Sequence, residues 1–239
     1  MERTDIREKT AGIIGGMGPE ATVDLMQRII RLTPALDDGD HIHCLVDNNP
    51  KIPSRIKAII EGQGEDPGPV IAQMAGRLEA WGADFLAIAC NTAHYYYDTV
   101  RAAVTIPVIH MVEAVLEHMT EYHPGCSEIG ILASPAIRIT GVYEKFFGPA
   151  GIHIIYPDPD EQDRLFQLIR GVKAGDLGAE VRDRYDRICD HLKKKGVGLA
   201  VVACTELSAL NRRTSLVTLD AAEILAKRIV DVAKGVKRI

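Results

Sequence analysis

The sequence lacks three features that would each indicate a particular class of protein. It has no run of about 18 consecutive apolar residues, so no transmembrane helix is expected. It has no surplus of basic residues, because 28 Lys and Arg stand against 33 Asp and Glu and the net charge is −5. This balance argues against nucleic acid or an acidic membrane as the main partner, since binding phosphate groups requires basic residues.

The cysteines lack the pattern of a disulfide framework. There are five, an odd number, and no C-x-x-C spacing occurs. Residues 1–10 are charged and contain no apolar signal core, so we expect a cytoplasmic protein. In that reducing compartment each cysteine is a free thiol, either a small buried hydrophobe or a reactive group.

Short apolar runs alternate with amphipathic stretches along the 239 residues, of which 46% are apolar. This pattern predicts an α/β fold with parallel sheets covered by helices on both faces. The predicted strands are 12–15, 42–47, 85–89, 108–109, 129–133, 152–156, 199–203 and 216–218. The predicted helices begin near Pro19, Gly68, Thr92, Met111, Ala136, Glu161, Gly178, Thr205 and Ala221.

Two segments of the chain resemble each other. Residues 82–90 and 196–204 both run from a glycine through an apolar strand to a cysteine. We interpret this as two pseudosymmetric Rossmann-like domains with the active site in the cleft between them; chance similarity of buried strands is the alternative. The first predicted domain comprises residues 1–112 plus 218–239, with the last segment packing back, and the second comprises residues 113–217.

Cys90 and Cys204 follow predicted strands, where an open parallel sheet binds its ligands. A thiol at a helix N-terminus meets unpaired N–H groups, which stabilise the thiolate. Two such thiols facing one cleft predict proton transfer on opposite faces of one carbon, whereas the alternative for each is an inert core residue. The other cysteines lack this context and are interpreted as structural.

The chain resembles the aspartate/glutamate racemase family over nearly its whole length. The most specific resemblance lies in Cys90-Asn91-Thr92-Ala93-His94 and Ala203-Cys204-Thr205-Glu206-Leu207; segments 15–20 and 48–55 are also similar. The resemblance implies two similar α/β domains, often a homodimer, with no pyridoxal phosphate, metal or nucleotide. It also implies that Cys90 and Cys204 are the catalytic acids and bases.

The resemblance further implies a set of substrate-binding residues: Met17, Asn48, Arg55, Asn91, Thr92, Ser134, Lys173 and Thr205. Arg55 and Lys173 are similar to the pair that aspartate racemases use on a substrate carboxylate, and two cations suit a dicarboxylic substrate. Their alternatives are a solvated helix residue and a surface lysine. Where many relatives carry two threonines three apart, this chain has Ser134 and Ile137, so one polar contact is expected to be missing.

The sequence leaves the roles of two further side chains, Glu206 and His94, undecided. Glu206 is either a first-turn carboxylate favoured by the helix dipole, a group that orients Cys204, or an acceptor for a substrate ammonium. His94 either packs behind Cys90 or tunes its thiolate. His41 and His43 alternate along a predicted strand, which is more typical of strand residues than of metal ligands, so no metal is expected.

We therefore predict cofactor-independent racemisation of a small acidic amino acid, aspartate first and glutamate next. Three alternatives remain. The same two-cysteine architecture could act on maleate, a hydantoin or cysteate, or the chain could be a non-catalytic amino-acid-binding module. Residues 16–21 also fit the dinucleotide pattern G-x-G-x-x-A, although Pro19 removes an N–H where a pyrophosphate would bind.

Overall fold

Two four-stranded parallel sheets with the same strand order form the centre of the computed structural model, which describes residues 8–210 and 214–239. In the first sheet, β1 (Ala11–Gly15), β2 (Cys44–Asn48), β3 (Phe85–Ile88) and β4 (Val108–Ile109) are ordered β2-β1-β3-β4. In the second, β5 (Glu128–Leu132), β6 (His153–Ile155), β7 (Leu199–Val202) and β8 (Val217–Asp220) are ordered β6-β5-β7-β8. The repeat predicted from the two cysteine segments is therefore a repeat of topology, and the predicted α/β class is confirmed.

Helices cover both sheets. They are α1 (Pro19–Leu32), α2 (Gly68–Ala80), α3 (Tyr97–Ala102), α4 (Met111–Tyr122), α5 (Pro135–Thr140), α6 (Glu144–Phe147), α7 (Pro159–Lys173), α8 (Ala179–Lys194), α9 (Thr205–Ser208) and α10 (Ala221–Ala233). The helix predicted from Thr92 instead begins as a 3₁₀ helix, Thr92–Tyr96, and continues as α3. The sequence patterns did not predict α6 or the π-helical segment Ile56–Ile60.

Glycines at equivalent places in the two central strands allow each sheet to be packed closely. A Cβ on Gly12 of β1 would lie 2.5 Å from Leu86 Cδ2, and one on Gly130 of β5 would lie 2.9 Å from Val197 Cγ1. A side chain at either position would overpack the core, which typically costs about 1–3 kcal/mol. The similarity of the two opening strands thus has a steric cause.

The two halves share one apolar core. Ile13 and Phe85 of the first sheet belong to the same buried cluster as Ile131 and Val201 of the second. Helix α10 packs against α1 and α4, whereas β8, which precedes it, pairs in parallel with β7. Within 218–239, the strand residues therefore belong to the second sheet, whereas the helix contacts α1 of the first half and α4, which spans the predicted domain boundary. The division into two domains stays a prediction.

Among the described residues no helix is both long and apolar enough to span a membrane. The segment 1–10, from which the absence of a signal was predicted, lies for the most part outside the described residues.

Candidate active site

The two predicted thiols line one cavity between the halves. Cys90 follows β3 and Cys204 follows β7, and these strands occupy the same place in their sheets. Cys204 is also the N-cap residue of the short helix α9. The cavity has a volume of about 60 Å³. Since one water needs roughly 10–15 Å³ by this measure, the space suits a small ligand only.

Most of the predicted site residues meet in this cavity. Its wall includes Met17, Arg55, Cys90, Asn91, Thr92, Ser134, Lys173, Cys204 and Thr205. Asn48, which the resemblance implied as substrate-binding, is absent from this wall. It is exposed at the end of β2, an edge strand, and pairs in register with Gly15. The geometry therefore gives Asn48 no place beside the thiols.

Several wall residues were not predicted: Ser54, Ile56, Ala136, Ile169 and Ala203. Glu206, whose role the sequence left open, also lines the cavity. Ile169 lies one helical turn before Lys173 on α7, so the helical period alone could have found it. Ile137, where relatives were expected to offer a hydroxyl, is fully buried and its neighbour Ala136 faces the cavity instead. This part of the wall is apolar.

An acidic side chain links one thiol to one cation. Cys204 Sγ donates a hydrogen bond to Glu206 Oε2 at 3.0 Å, and Lys173 Nζ lies 3.1 Å from Glu206 Oε1. Burial, followed by the negative charge of Glu206, raises the pKa of Cys204 well above its usual value, while Lys173 acts in the opposite direction. Cys204 is therefore a neutral thiol in the ligand-free site.

The two cations of the cavity differ in their partners. Burial alone would lower the pKa of Lys173, but the charge of Glu206, and those of Cys90 and Cys204 once they are ionised, outweigh it and the pKa is raised. Its side chain is 37% exposed, yet its ammonium is fixed at the cavity wall by Glu206. Arg55 Nη1 donates to the Pro53 carbonyl at 3.1 Å, and no carboxylate of the described residues pairs with it. Arg55 thus remains available to an anionic ligand.

Known proteins share this architecture. Residues 14–229 match the family model described as Asp/Glu/Hydantoin racemase. The chain belongs to this racemase family. The broad specificity amino-acid racemase RacX of Bacillus subtilis (strain 168) is 26% identical to it over 225 residues, covering 92% of this chain and 96% of RacX. The family expected from the two cysteine signatures is confirmed, and the protein is an amino-acid racemase of that family.

Solved structures agree with the fold. An aspartate racemase from Picrophilus torridus superposes with a TM-score of 0.81 and 27% identity, covering 95% of this chain and 94% of that one. A glutamate racemase from Francisella tularensis subsp. tularensis SCHU S4, in complex with D-glutamate, gives a TM-score of 0.68 at 16% identity, covering 96% and 82%. The second similarity is one of fold alone.

In the racemase, His94 supports Cys90 through the backbone. Met111 N–H donates to His94 Nε2 at 3.0 Å, so Nδ1 carries the proton and donates to the Cys90 carbonyl at 2.9 Å. Burial lowers the pKa of His94 to about 4, which keeps the ring neutral. Of the two interpretations left open, packing behind the thiol is the one that these contacts favour.

Asn91 of the racemase offers an unused donor. Its Oδ1 accepts a hydrogen bond from the buried hydroxyl of Tyr143 at 2.8 Å, a contact between the two halves. Its Nδ2 is buried at the cavity wall and has no hydrogen-bond partner among the described residues. An unpaired buried donor requires an explanation, and a ligand oxygen would supply one.

The glycine-rich loop of the racemase, residues 15–20, forms contacts within the protein itself. The N–H of Gly16 donates to Thr22 Oγ1 at 2.9 Å, and Met17, 1% exposed, lies buried beside Cys90. A Cβ on Gly16, whose φ is +91°, would lie 2.2 Å from the Asn49 backbone, so glycine is required here. These contacts use the loop for folding, which weakens the dinucleotide interpretation.

Proposed function

We propose that this racemase inverts the Cα configuration of an acidic amino acid, aspartate first and glutamate next, using Cys90 and Cys204 as opposed acids and bases. One observation carries the proposal: two thiols from equivalent strand ends line a single small cavity that also contains two cations. The reaction needs no pyridoxal phosphate in this scheme.

The proposed chemistry transfers one proton at each face of Cα. The thiolate of one cysteine takes the Cα proton, so that a C–H bond breaks, an S–H bond forms, and the electron pair stays on the substrate. The thiol of the other cysteine then gives its proton to the opposite face. Because the intermediate carries extra negative charge on its carboxylate, aimed donors lower the barrier. Asn91, Thr92 and Thr205 line the cavity, and we assign the donors to Asn91 Nδ2 and the two threonine hydroxyls.

The cations support an acidic substrate. Arg55 has no carboxylate partner in the described structure, and its planar guanidinium binds a carboxylate with two hydrogen bonds. Lys173 adds a second positive charge at the same wall. A dicarboxylic amino acid would use both. RacX is named as a broad specificity enzyme and the Picrophilus torridus protein as an aspartate racemase, and both descriptions are compatible with this choice.

The test is a panel of L-amino acids incubated in D₂O and analysed by chiral chromatography and mass spectrometry. We expect L-aspartate to lose optical rotation and to gain one deuterium at Cα. Binding of aspartate without exchange would instead identify an amino-acid-binding module, and isomerisation of maleate would identify a different reaction at the same thiols. The predicted homodimer is a separate proposal, which sedimentation would test.

Replacing Arg55 by methionine is expected to raise the KM for aspartate by about 10- to 150-fold. The estimate follows from the roughly 1.5–3 kcal/mol that a hydrogen bond to a charged group contributes. Steady-state kinetics would measure it. Lys57→Met, an exposed cation in the same segment, is the matched control and should leave KM near the wild-type value. Equal effects of the two variants would remove Arg55 from the substrate site.

A further inference from the structure

We propose that Glu206 is a positioning residue that makes the two thiols of this racemase unequal, holding Cys204 protonated in the resting site and competing with the substrate carboxylate for Lys173. The inference rests on the proposed two-thiol function and names a residue that the function does not itself require. The same carboxylate would thus control both the protonation of one acid/base and the affinity for substrate.

Geometry carries the first part of the inference. The two oxygens of Glu206 face two different groups, since Oε2 accepts from Cys204 Sγ at 3.0 Å and Oε1 lies 3.1 Å from Lys173 Nζ. The Glu206 side chain is only 11% exposed, so water screens these contacts weakly. Cys90 has no such partner: within the described residues no carboxylate is hydrogen-bonded to its sulfur. The pseudosymmetry of the strands therefore does not extend to the surroundings of the sulfur atoms.

The charged and titratable groups around Cys204 come from several elements. Lys173 on α7 and Tyr185 on α8 interact with it electrostatically, while Cys90 and Arg55 line the same cavity. Only Glu206 brings a fixed negative charge within hydrogen-bond distance of this thiol in the described structure. It therefore opposes formation of the Cys204 thiolate most directly.

Two consequences follow for turnover. Cys204 is protonated at the start of turnover and acts as the acid. A substrate whose Cα–H faces Cys90 can therefore receive its new proton from Cys204 without a prior proton transfer. For the other enantiomer, the Cys204 proton must first move to Glu206 Oε2: the S–H bond breaks, an O–H bond forms, and the negative charge moves from carboxylate to sulfur. Lys173 then loses its carboxylate partner and becomes free to bind the substrate carboxylate. Protonation of Glu206 and binding of the substrate carboxylate by Lys173 are coupled in this way.

Glu206→Gln separates these effects because it removes the charge and keeps the shape. Alkylation by iodoacetamide as a function of pH, followed by mass spectrometry of the Cys204 peptide, would report thiolate formation without any turnover. We expect the midpoint for Cys204 to fall by about one pH unit or more, given the strength of neighbouring-charge effects. Glu206→Asp, which keeps the charge, should restore a midpoint close to that of the wild type.

Kinetics add a readout that a merely structural role would not produce. In Glu206→Gln we expect KM for aspartate to fall several-fold, because Lys173 is released. We expect kcat to fall about 10- to 100-fold, because the amide of glutamine cannot accept the proton of Cys204. Glu180→Gln, an exposed first-turn carboxylate on α8, is the matched control and should change neither value.

Lys173→Met is the second variant, and its effect on the midpoint has the opposite sign. Removing this cation should raise the Cys204 midpoint, so the test stands even where Glu206→Gln does not fold. A Cys204 midpoint that is unchanged or rises in Glu206→Gln overturns the inference. Where that variant does not fold, an unchanged midpoint in Lys173→Met overturns it. Because alkylation needs no turnover, a wild-type protein that fails to racemise would contradict the proposed function separately.

Discussion

Cys90→Ser and Cys204→Ser are each expected to abolish racemisation while the protein remains folded. A hydroxyl is a far weaker acid than a thiol, so each variant lacks one of the two proton carriers. Positioned acid–base groups contribute roughly 10²- to 10⁴-fold each, and we expect at least about 10³-fold loss of kcat/KM. Cys90 and Cys204 are 7% and 8% exposed, and serine has nearly the same shape, so the packing of both halves should persist.

Chiral chromatography of aspartate measures the loss, and circular dichroism checks the fold. The control is Cys126→Ser, since Cys126 is only partly buried, precedes β5 by two residues and lies outside the cavity. That variant should racemise at the wild-type rate. Near-normal turnover in either of the other two variants would rule out a mechanism that needs both thiols.

The central part of the site could be predicted because it is built from strand ends. Each cysteine comes two residues after the end of an apolar strand, and parallel strands bring their carboxyl ends to one edge of the sheet. The repeated glycine-to-cysteine segment therefore indicated both the fold and the two thiols. Lys173 was found through the resemblance alone, since it stands at the end of α7, far from either cysteine along the chain.

Other parts of the site depend on side-chain directions that no local pattern encodes. The sequence left Glu206 open between a first-turn carboxylate, a group that orients Cys204 and an acceptor for a substrate ammonium. Only the tertiary structure shows that it contacts Cys204 and Lys173 together. Likewise, the neutral tautomer of His94 follows from a donor on α4, the N–H of Met111. Asn48, by contrast, was expected at the substrate. It ends β2 as a candidate site residue should, but β2 is an edge strand and Asn48 is exposed to solvent.

Arg28→Met is expected to destabilise the protein by about 3–5 kcal/mol, the usual cost of removing one partner from a buried ion pair. Arg28 on α1 is 10% exposed and contacts Asp24 at 2.7 Å, Glu223 at 2.8 Å and Asp220 at 2.9 Å. Burial lowers its pKa, but the carboxylates, Asp220 first, raise it above the ordinary value, so the charge persists at any ordinary pH. Without it, partly buried carboxylates would repel one another.

The ion pairs of Arg28 lie close to the short helix that follows Cys204, so their loss should also disturb the active site. Asp220 accepts a hydrogen bond from Ser208 Oγ at 2.7 Å, and Ser208 ends α9, the helix that Cys204 caps. Urea denaturation would measure the free energy of unfolding. Arg31→Met is the matched control, since Arg31 pairs with the same Glu223 at 2.7 Å but is 63% exposed, and surface pairs contribute about 0–1 kcal/mol. Equal losses in the two variants would show that burial does not set the strength of this contact between α1 and α10.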